Sequence, residues 1–366
     1  MTEQMINLTR GVPPMDVLPV EEMIIASEAA FNEDGPKLLQ YIPSPGYLPL
    51  VNLLAERYHT TSDHVFTGNS SLEVMNFIIS ILLKPGERAF VESPSYDRTI
   101  KLLKRSGANI VGIPMEADGV DLSAFEAQLK KGAPKLVYII ADFQNPMGTT
   151  TSVVKRQQLA KWAEEYDFYI AEDAPYRMLR YVGEDLPTIA SFAPERVFHI
   201  CSLSKLLAPG LRLGYTIAPT QMVKKLTEYA SDTYIGPVGP SQGMVYQYFK
   251  MGLFDKNVQK LKAIYAPRLE ALKNAAEKYI PEAVFPKPEG GFFISLTLPK
   301  GINMECLMKR AEEVNLKITD GRGFFLDPDD GERFLRVPFC TVSPQEIDEA
   351  MRRISGILEK PYLKTF

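Results

Sequence analysis

The chain has 366 residues, 45% of them hydrophobic, which is enough for a large core divided between two lobes. Its 41 basic and 45 acidic side chains nearly balance, so the charge gives no footprint for nucleic acid or for an anionic membrane. The three cysteines are scattered, which argues against a disulfide framework, and the presence of only three histidines argues against a metal site or a Ser-His-Asp triad as the basis of function. We see neither a leader nor a membrane-length apolar run, and we expect a cytoplasmic protein.

The segment from residue 64 to residue 217 alternates between predicted strands and predicted helices. Its strands are, in chain order, HVFTG, ERAFVE, ANIVGIPM, KLVYIIA, DFYIAED, RVFHICS and LGYTIAP. Its helices are SSLEVMNFIISILL, SYDRTIKLLKRSG, which Gly107 ends, and SVVKRQQLAKWAEEY. This alternation predicts an α/β fold with a mostly parallel central sheet that helices cover on both faces. Because such sheets bind ligands at the carboxyl ends of their strands, the residues after each strand are the candidates for a site.

Beyond residue 240 the pattern predicts a smaller α+β domain. A long helical stretch, which we expect Pro267 to interrupt, precedes two strands, GGFFISLTL and RFLRVPFC, and two helices, MECLMKRAEEVN and PQEIDEAMRRISGILEK. The proline-rich segments 8–19 and 41–49 are predicted to be extended. We place the large domain at 36–265 and the small domain at 1–35 and 266–366.

Polar residues follow the early strands of the predicted sheet. Asn69, Ser70 and Ser71 open a helix, where free amides and hydroxyls favour an anion such as phosphate. Ser70 with Glu73 also fits a plain capping box, and for these residues taken alone the capping interpretation is preferred. Tyr96 follows the next strand and either stacks on a flat ring or packs as an ordinary core aromatic.

The later strand ends carry the more informative residues. Asn145 stands before a proline, which restricts its backbone and fixes the direction of its amide. Asp173 ends a buried strand, where an unpaired carboxylate is costly, and Tyr176 follows it three residues later. Lys205 and Arg212 come after the strand RVFHICS, in the segment SLSKLLAPGLR.

Together these strand ends suit one ligand, pyridoxal 5'-phosphate (PLP), which is flat, phosphorylated, basic at its ring nitrogen and carries an aldehyde. Burial and neighbouring positive charge would lower the pKa of Lys205 and make its amine a nucleophile for the aldehyde. Asp173 would keep the ring nitrogen protonated, so that the ring accepts electrons from a carbanion, and the pairing would offset the cost of burying the carboxylate.

Four segments, DFQNPMG, EDAPY, SLSKLLAPGLRLGY and RFLRVPF, resemble the class I/II aminotransferases of the fold type I PLP enzymes. They come in the order of that family and at similar separations, and LQYIPSPGYLPLVNLLAERY and PEGGFF are also similar. The nearest branch by resemblance is the 2-aminoadipate, kynurenine and aromatic aminotransferase group. The resemblance implies a three-layer fold type I architecture, and a homodimer with shared active sites.

The resemblance implies a role for each residue around the ring. Lys205 would bind the cofactor aldehyde covalently and then act as acid and base. Asp173 would pair with the pyridine nitrogen. Tyr176 and Asn145 would hydrogen-bond the phenolic oxygen, and Tyr96 would stack on the ring.

The resemblance also assigns the phosphate and the substrate. The residues that would surround the phosphate are Asn69, Ser70, Ser71, Ser202, Ser204 and Arg212. Tyr41 would reach that phosphate from the neighbouring subunit. Arg336 would clamp the substrate α-carboxylate, close to Asn145 and to the backbone of Gly11. Arg10 is either a second substrate arginine, selecting an acidic side chain, or a solvated loop residue.

The expected activity is transfer of an amino group between an L-amino acid and a 2-oxo acid, with 2-oxoglutarate as the expected acceptor. Two alternatives stay open at this point: a PLP-dependent β-lyase of the cysteine-S-conjugate type, and a non-catalytic PLP-binding regulator. We expect amino acid and oxo acid partners, with no nucleic acid, membrane or metal. The motifs do not fix which amino acid is used, because similar pockets accept different side chains.

Overall fold

The computed structural model describes residues 4–359. Its strands are β1 (Ile6–Asn7), β2 (Val65–Gly68), β3 (Arg88–Ser93), β4 (Asn109–Glu116), β5 (Gly119–Val120), β6 (Leu136–Ile139), β7 (Tyr169–Asp173), β8 (Val197–Ser202), β9 (Gly214–Ile217), β10 (Phe293–Thr297), β11 (Leu316–Lys317), β12 (Thr319–Asp320) and β13 (Phe334–Pro338). Its α-helices are α1 (Val20–Leu38), α2 (Leu48–Arg57), α3 (Ser71–Leu82), α4 (Asp97–Arg105), α5 (Leu122–Lys130), α6 (Val153–Glu165), α7 (Thr220–Tyr234), α8 (Gly239–Lys250), α9 (Leu253–Tyr279), α10 (Met304–Glu313) and α11 (Pro344–Leu358).

The central sheet of the described residues has eight strands in the order β2-β9-β8-β7-β6-β3-β4-β5. The five strands from β8 to β4 run parallel, and β9, β2 and β5 are antiparallel to their neighbours. Every residue of β6 and of β8 is buried, since the sheet is covered on both faces. The predicted α/β class with a mostly parallel sheet is therefore confirmed.

A smaller antiparallel sheet, in the order β10-β13-β12, stands beside the large one. Its middle strand carries Arg336, paired in register with Ser295 on one side and with Thr319 on the other. The N-terminal strand β1 pairs in parallel with β11. This pairing holds β1 beside the segment that leads into β12, and Thr9, two residues after β1, contacts Arg336.

The prediction that Pro267 interrupts the long helix is wrong. The break comes earlier, at Gly252, whose φ of 67° is a left-handed conformation that glycine adopts without steric cost. Helix α9 then continues through Pro267 to its last residue. A proline inside a helix removes one backbone hydrogen bond, and the buried face of α9, with Leu261 and Leu269, stabilises the helix in spite of that loss.

Both predicted domain boundaries fall inside helices. The first, between residues 35 and 36, lies in α1 beside Asp34, where non-helical backbone angles kink the helix. The second, between residues 265 and 266, lies in the unbroken part of α9. The division into two domains stays a prediction. None of the helices within residues 4–359 combines the length and apolar character needed to cross a bilayer.

Candidate active site

The carboxyl ends of the parallel strands surround a cavity of about 190 Å³. Strands β3, β6, β7 and β8 all point toward it, because parallel strands end at one edge of their sheet. Ten of the residues singled out from the sequence line it: Ser70, Ser71, Tyr96, Asn145, Asp173, Tyr176, Ser202, Ser204, Lys205 and Arg212. Residues from five separate segments therefore meet in one place, as the strand-end argument requires.

Asp173 presents one free oxygen at this cavity. Its Oδ2 accepts a hydrogen bond from the Tyr138 hydroxyl at 2.7 Å, whereas its buried Oδ1 has no partner among the described residues. Burial raises the pKa of Asp173 to about 6, and the Tyr138 hydrogen bond and the His199 charge lower it in part. The carboxyl is thus ionised at neutral pH, with one oxygen available to a donor that the chain itself does not supply.

Lys205 lies in the turn after β8 and points toward the small sheet. Its Nζ donates a hydrogen bond to the carbonyl oxygen of Gly11 at 2.7 Å, and lies 5.9 Å from the centre of the Phe292 ring. Burial, together with the charges of Arg336 and Arg212, lowers its pKa to about 8. With this pKa about a tenth of the amine is neutral at pH 7, and the neutral form is the one that a nucleophile or a general base requires.

Arg336 is buried between two aromatic rings. Its guanidinium carbon lies 4.5 Å from the centre of the Phe293 ring and 4.8 Å from that of Phe324. Nη1 donates to Asn145 Oδ1 at 3.1 Å and Nη2 to the carbonyl of Thr9 at 3.0 Å, while Nε has no partner among the described residues. The rings hold the guanidinium plane in a fixed direction and leave an N–H edge for a planar anion such as a carboxylate.

A second end of the cavity is built from hydroxyl groups and a helix terminus. Ser70 caps α3, its Oγ accepting the backbone N–H of Glu73 at 3.1 Å, and it also lines the cavity. A side chain at Gly214 would collide with the backbone nitrogen of Ser71, so glycine there lets β9 approach the start of α3. Arg212 is exposed and its Nη1 donates to the Pro209 carbonyl at 3.3 Å. This end combines a helix N-terminus with a cation, an arrangement that favours a phosphate.

Five of the residues from the sequence do not line the cavity. Asn69 accepts the N–H of Val238 through its Oδ1 at 2.9 Å, and its amide nitrogen faces Glu73 at 3.5 Å. Tyr41 is 73% exposed, and Arg10 is also exposed. Gly11 and Arg336 lie just beyond the cavity wall, bonded to Lys205 and Asn145 respectively. The geometry thus joins Gly11 and Arg336 to the site and leaves Asn69, Tyr41 and Arg10 outside it in the single chain.

Sequence reasoning missed three residues that contact Asp173 or Arg336. Tyr138 and Phe293 act from neighbouring strands and Phe324 from the turn after β12, and their spacing along the chain gives no indication of these contacts. One signal was present for Tyr138. A hydroxyl in the middle of the fully buried strand KLVYIIA needs a polar partner, and Asp173 was the buried carboxylate on the next strand.

The sequence matches the family "Aminotransferase class I and II" over residues 3–354, which is nearly the whole chain. The chain belongs to the class I and II aminotransferases. The Aromatic-amino-acid aminotransferase 1 of Thermococcus litoralis is 31% identical to this aminotransferase, over 99% of this chain and 90% of that protein. The 2-aminoadipate transaminase of Thermus thermophilus is 30% identical, over 97% of this chain and 90% of that protein.

Solved structures agree with the sequence comparison. The multiple substrate aminotransferase from Thermococcus profundus superposes with a TM-score of 0.93 at 32% identity, covering 98% of this chain and 92% of that one. These structural neighbours of this aminotransferase are aminotransferases of fold type I. The predictions of the family, the fold class and an enzyme with aminotransferase activity are therefore confirmed.

Proposed function

We propose that this aminotransferase binds PLP in the cavity between Asp173 and Lys205. It then moves an amino group between an L-amino acid and a 2-oxo acid, with 2-oxoglutarate as the acceptor. The observation that carries the proposal is the unpartnered Oδ1 of Asp173, a buried ionised oxygen that faces the same cavity as a lysine of lowered pKa. A protonated pyridine nitrogen is the donor that this oxygen lacks.

The other cavity residues fit the remaining parts of the cofactor. Tyr96 offers an aromatic face, and Asn145 and Tyr176 offer polar groups where the phenolic oxygen of the ring would lie. The phosphate would be bound by the N-terminus of α3 with Ser70 and Ser71, by Ser202 and Ser204, and by Arg212. PLP, when bound, supplies an aldehyde that condenses with amines and a ring that accepts an electron pair.

The residues of the chain supply the binding and the proton transfers. Arg336 binds the substrate α-carboxylate through its free N–H edge and so fixes the direction of the substrate Cα–H. Lys205, half-buried and with a pKa of about 8, carries a proton to and from the substrate carbon. The Phe293 and Phe324 rings exclude water from the guanidinium, which strengthens its pairing with a carboxylate.

We further infer a homodimer in which Tyr41 of each subunit completes the phosphate site of the other. Exposed apolar residues lie around Tyr41, notably Leu39 and Leu48, and the turn with Ile235 packs against this segment because Gly236 abuts the carbonyl of Ile42. Large apolar side chains exposed together in one segment are typical of a protein interface. The cytoplasmic location and a role for Arg10 in substrate choice stay predictions.

A panel of L-amino acids, each mixed with the enzyme and 2-oxoglutarate, tests the function by the glutamate formed. Lys205→Ala should lose this activity and the borohydride-trappable adduct with PLP, whereas Lys161→Ala, a change at an exposed lysine, should keep both. Release of ammonia and pyruvate from cysteine S-conjugates, without glutamate, would instead favour a β-lyase. PLP absorbance without any turnover across the panel would favour a non-catalytic regulator.

A further inference from the structure

The two oxygens of the Asp173 carboxylate have different surroundings. Oδ2 is held by the Tyr138 hydroxyl at 2.7 Å, and Oδ1 alone is left for a ligand. We propose that Tyr138 is a positioning residue for the ring nitrogen of PLP, fixing the rotation of the Asp173 carboxylate so that Oδ1 meets that nitrogen. The proposal rests on the proposed function, since it needs PLP in this cavity.

The sheet register explains how Tyr138 reaches Asp173. Tyr138 on β6 is paired with Ala171 on β7, and Asp173 lies two residues beyond Ala171 on the same face of the sheet. Diagonal neighbours of this kind are within reach of a long aromatic side chain. Because Tyr138 lies in the centre of a buried strand and is 1% exposed, its ring cannot move away and its hydroxyl has a fixed position.

The hydroxyl of Tyr138 is not needed for packing. A phenylalanine would fill almost the same volume, so the oxygen is retained for its hydrogen bonds. Its partners are Asp173 and Thr99, a buried residue of α4 that also hydrogen-bonds the phenol. The chain of two hydroxyl groups therefore ends on the carboxylate, and polarisation along such a chain strengthens its last hydrogen bond.

Two other ionisable groups are coupled electrostatically to Asp173, but neither donates a hydrogen bond to it. His199 on β8 lowers the pKa of Asp173 through its charge, but its Nδ1 hydrogen-bonds Glu172 on the opposite face. Glu92 on β3 is close enough for Asp173 to raise its pKa, yet its Oε2 accepts bonds from Ile140 and Gln144. Among the described residues 4–359, Tyr138 is the side chain that donates a hydrogen bond to Asp173.

The test compares Tyr138→Phe with Tyr265→Phe, a matched change at another fully buried tyrosine whose hydroxyl has no partner among residues 4–359. For each purified protein, fluorescence titration gives the dissociation constant of PLP and of the analogue with a CH group in place of the ring nitrogen. Tyr138→Phe should weaken PLP about tenfold or more, the size of a hydrogen bond to a charged group, and the analogue by less than about threefold. Tyr265→Phe should change neither.

A double-mutant cycle supplies the second measurement. In the Asp173→Asn background, adding Tyr138→Phe should weaken PLP by less than about threefold, because the amide that the phenol still orients carries no charge to pair with the ring nitrogen. Thr99→Val should act in the same direction as Tyr138→Phe but more weakly. Thr99→Val, which leaves Tyr138 in place, supplies the test if Tyr138→Phe is poorly folded, which circular dichroism would reveal.

Three outcomes would overturn the proposal. Tyr138→Phe that weakens PLP and the CH analogue equally has lost packing, not the orientation of Asp173. Tyr138→Phe that binds PLP as the wild type does shows that the phenol is dispensable. If the wild type takes up no PLP at all, the proposed function fails together with this inference, whereas either of the first two results leaves the proposed function intact.

Discussion

The two ends of the cavity differ in how much the single chain completes. At the ring-nitrogen end, Asp173 and Tyr138 are hydrogen-bonded inside the sheet and one oxygen remains for a ligand. At the phosphate end, Arg212 is exposed and bonded to the Pro209 carbonyl, and Tyr41, the residue expected to complete a partner's site, is 73% exposed. Residues of the sheet complete the ring-nitrogen end, whereas the phosphate end lies at the surface of the chain.

The surface near the phosphate end is apolar. A groove of about 620 Å³ is lined by residues of the N-terminal region, Leu18, Val20, Met23 and Ile24 among them, and by Leu211 next to Arg212. Val20 and Ile24 are more than half exposed, which is unusual for large apolar side chains on a helix. The buried end depends on desolvation and fixed hydrogen bonds, whereas the phosphate end is predicted to depend on charge and on a second copy of the chain.

The largest expected effect is at the buried end. Asp173→Asn keeps the size of the side chain and the Tyr138 hydrogen bond, but removes the charge that would hold the ring nitrogen protonated. We expect the rate of glutamate formation to fall by about 10²- to 10³-fold, as when other preorganised electrostatic groups are removed. Asp167→Asn, at an exposed carboxylate paired with Arg196, is the matched control and should stay within about twofold of wild type.

The same substitution should stabilise the cofactor-free protein. Because the pKa of Asp173 is raised to about 6 in the folded chain, the stability it contributes is present at low pH and is lost as the pH rises through 6. At about pH 7.5 the melting temperature of cofactor-free Asp173→Asn should therefore exceed that of the wild type. A lower melting temperature for the variant would mean that the Asp173 charge is well solvated, and the contrast between the two ends would lose its physical basis.

The next largest expected effect is at the phosphate end. If Tyr41 reaches the phosphate of the partner subunit, Tyr41→Phe should weaken PLP by about tenfold, the size of one hydrogen bond to a charged group. The wild-type affinity for PLP should also fall when the protein is diluted until the dimer dissociates, and the affinity of Tyr41→Phe should not. Tyr166→Phe, at another exposed tyrosine, is the control.

A wild-type affinity for PLP that is independent of protein concentration, over a range in which ultracentrifugation shows dissociation, would contradict this role of Tyr41. The phosphate site would then be complete within one chain. The two ends of the cavity would then differ only in their exposure, and not in whether a second subunit contributes to them.

Much of the buried end was predictable from the sequence, because parallel strands bury both faces and place their last residues at one edge. Asp173, Asn145 and Lys205 follow three such strands, and the cavity gathers all three. The break of the long helix at Gly252 was not predictable in this way, since a proline and a glycine competed and tertiary packing decided between them.

The partners of the predicted residues were less accessible from the sequence. Asn69 stands beside Ser70 in the chain, yet its side chain is bonded to Val238, a residue 169 positions away. Arg336 was identified by its motif, but the Phe293 and Phe324 rings that enclose it come from two other segments. Spacing along the chain predicts which residues end a strand, whereas contacts between distant segments depend on the packed structure.

The smallest expected effect is at Glu92, on β3 near the ring-nitrogen end of the cavity. Burial raises its pKa to about 8, its Oε1 has no partner among residues 4–359, and its Oε2 accepts the Gln144 amide, which also donates to the Pro94 carbonyl beside the Tyr96 turn. Glu92→Gln mimics the protonated acid, so transamination should stay within about threefold of wild type near pH 7.

The pH dependence of stability gives the sharper measurement for Glu92. A carboxyl whose pKa is raised on folding contributes stability at low pH that is lost as the pH rises through 8. The melting temperature of Glu92→Gln, relative to wild type, should therefore rise by a few degrees between about pH 5 and about pH 9. Asp173 and His199 titrate in both proteins, so the difference reports the Glu92 carboxyl together with its coupling to Asp173. If the difference in melting temperature does not change with pH, water reaches the Glu92 carboxyl. The ring-nitrogen end is then more hydrated than its hydrogen bonds imply.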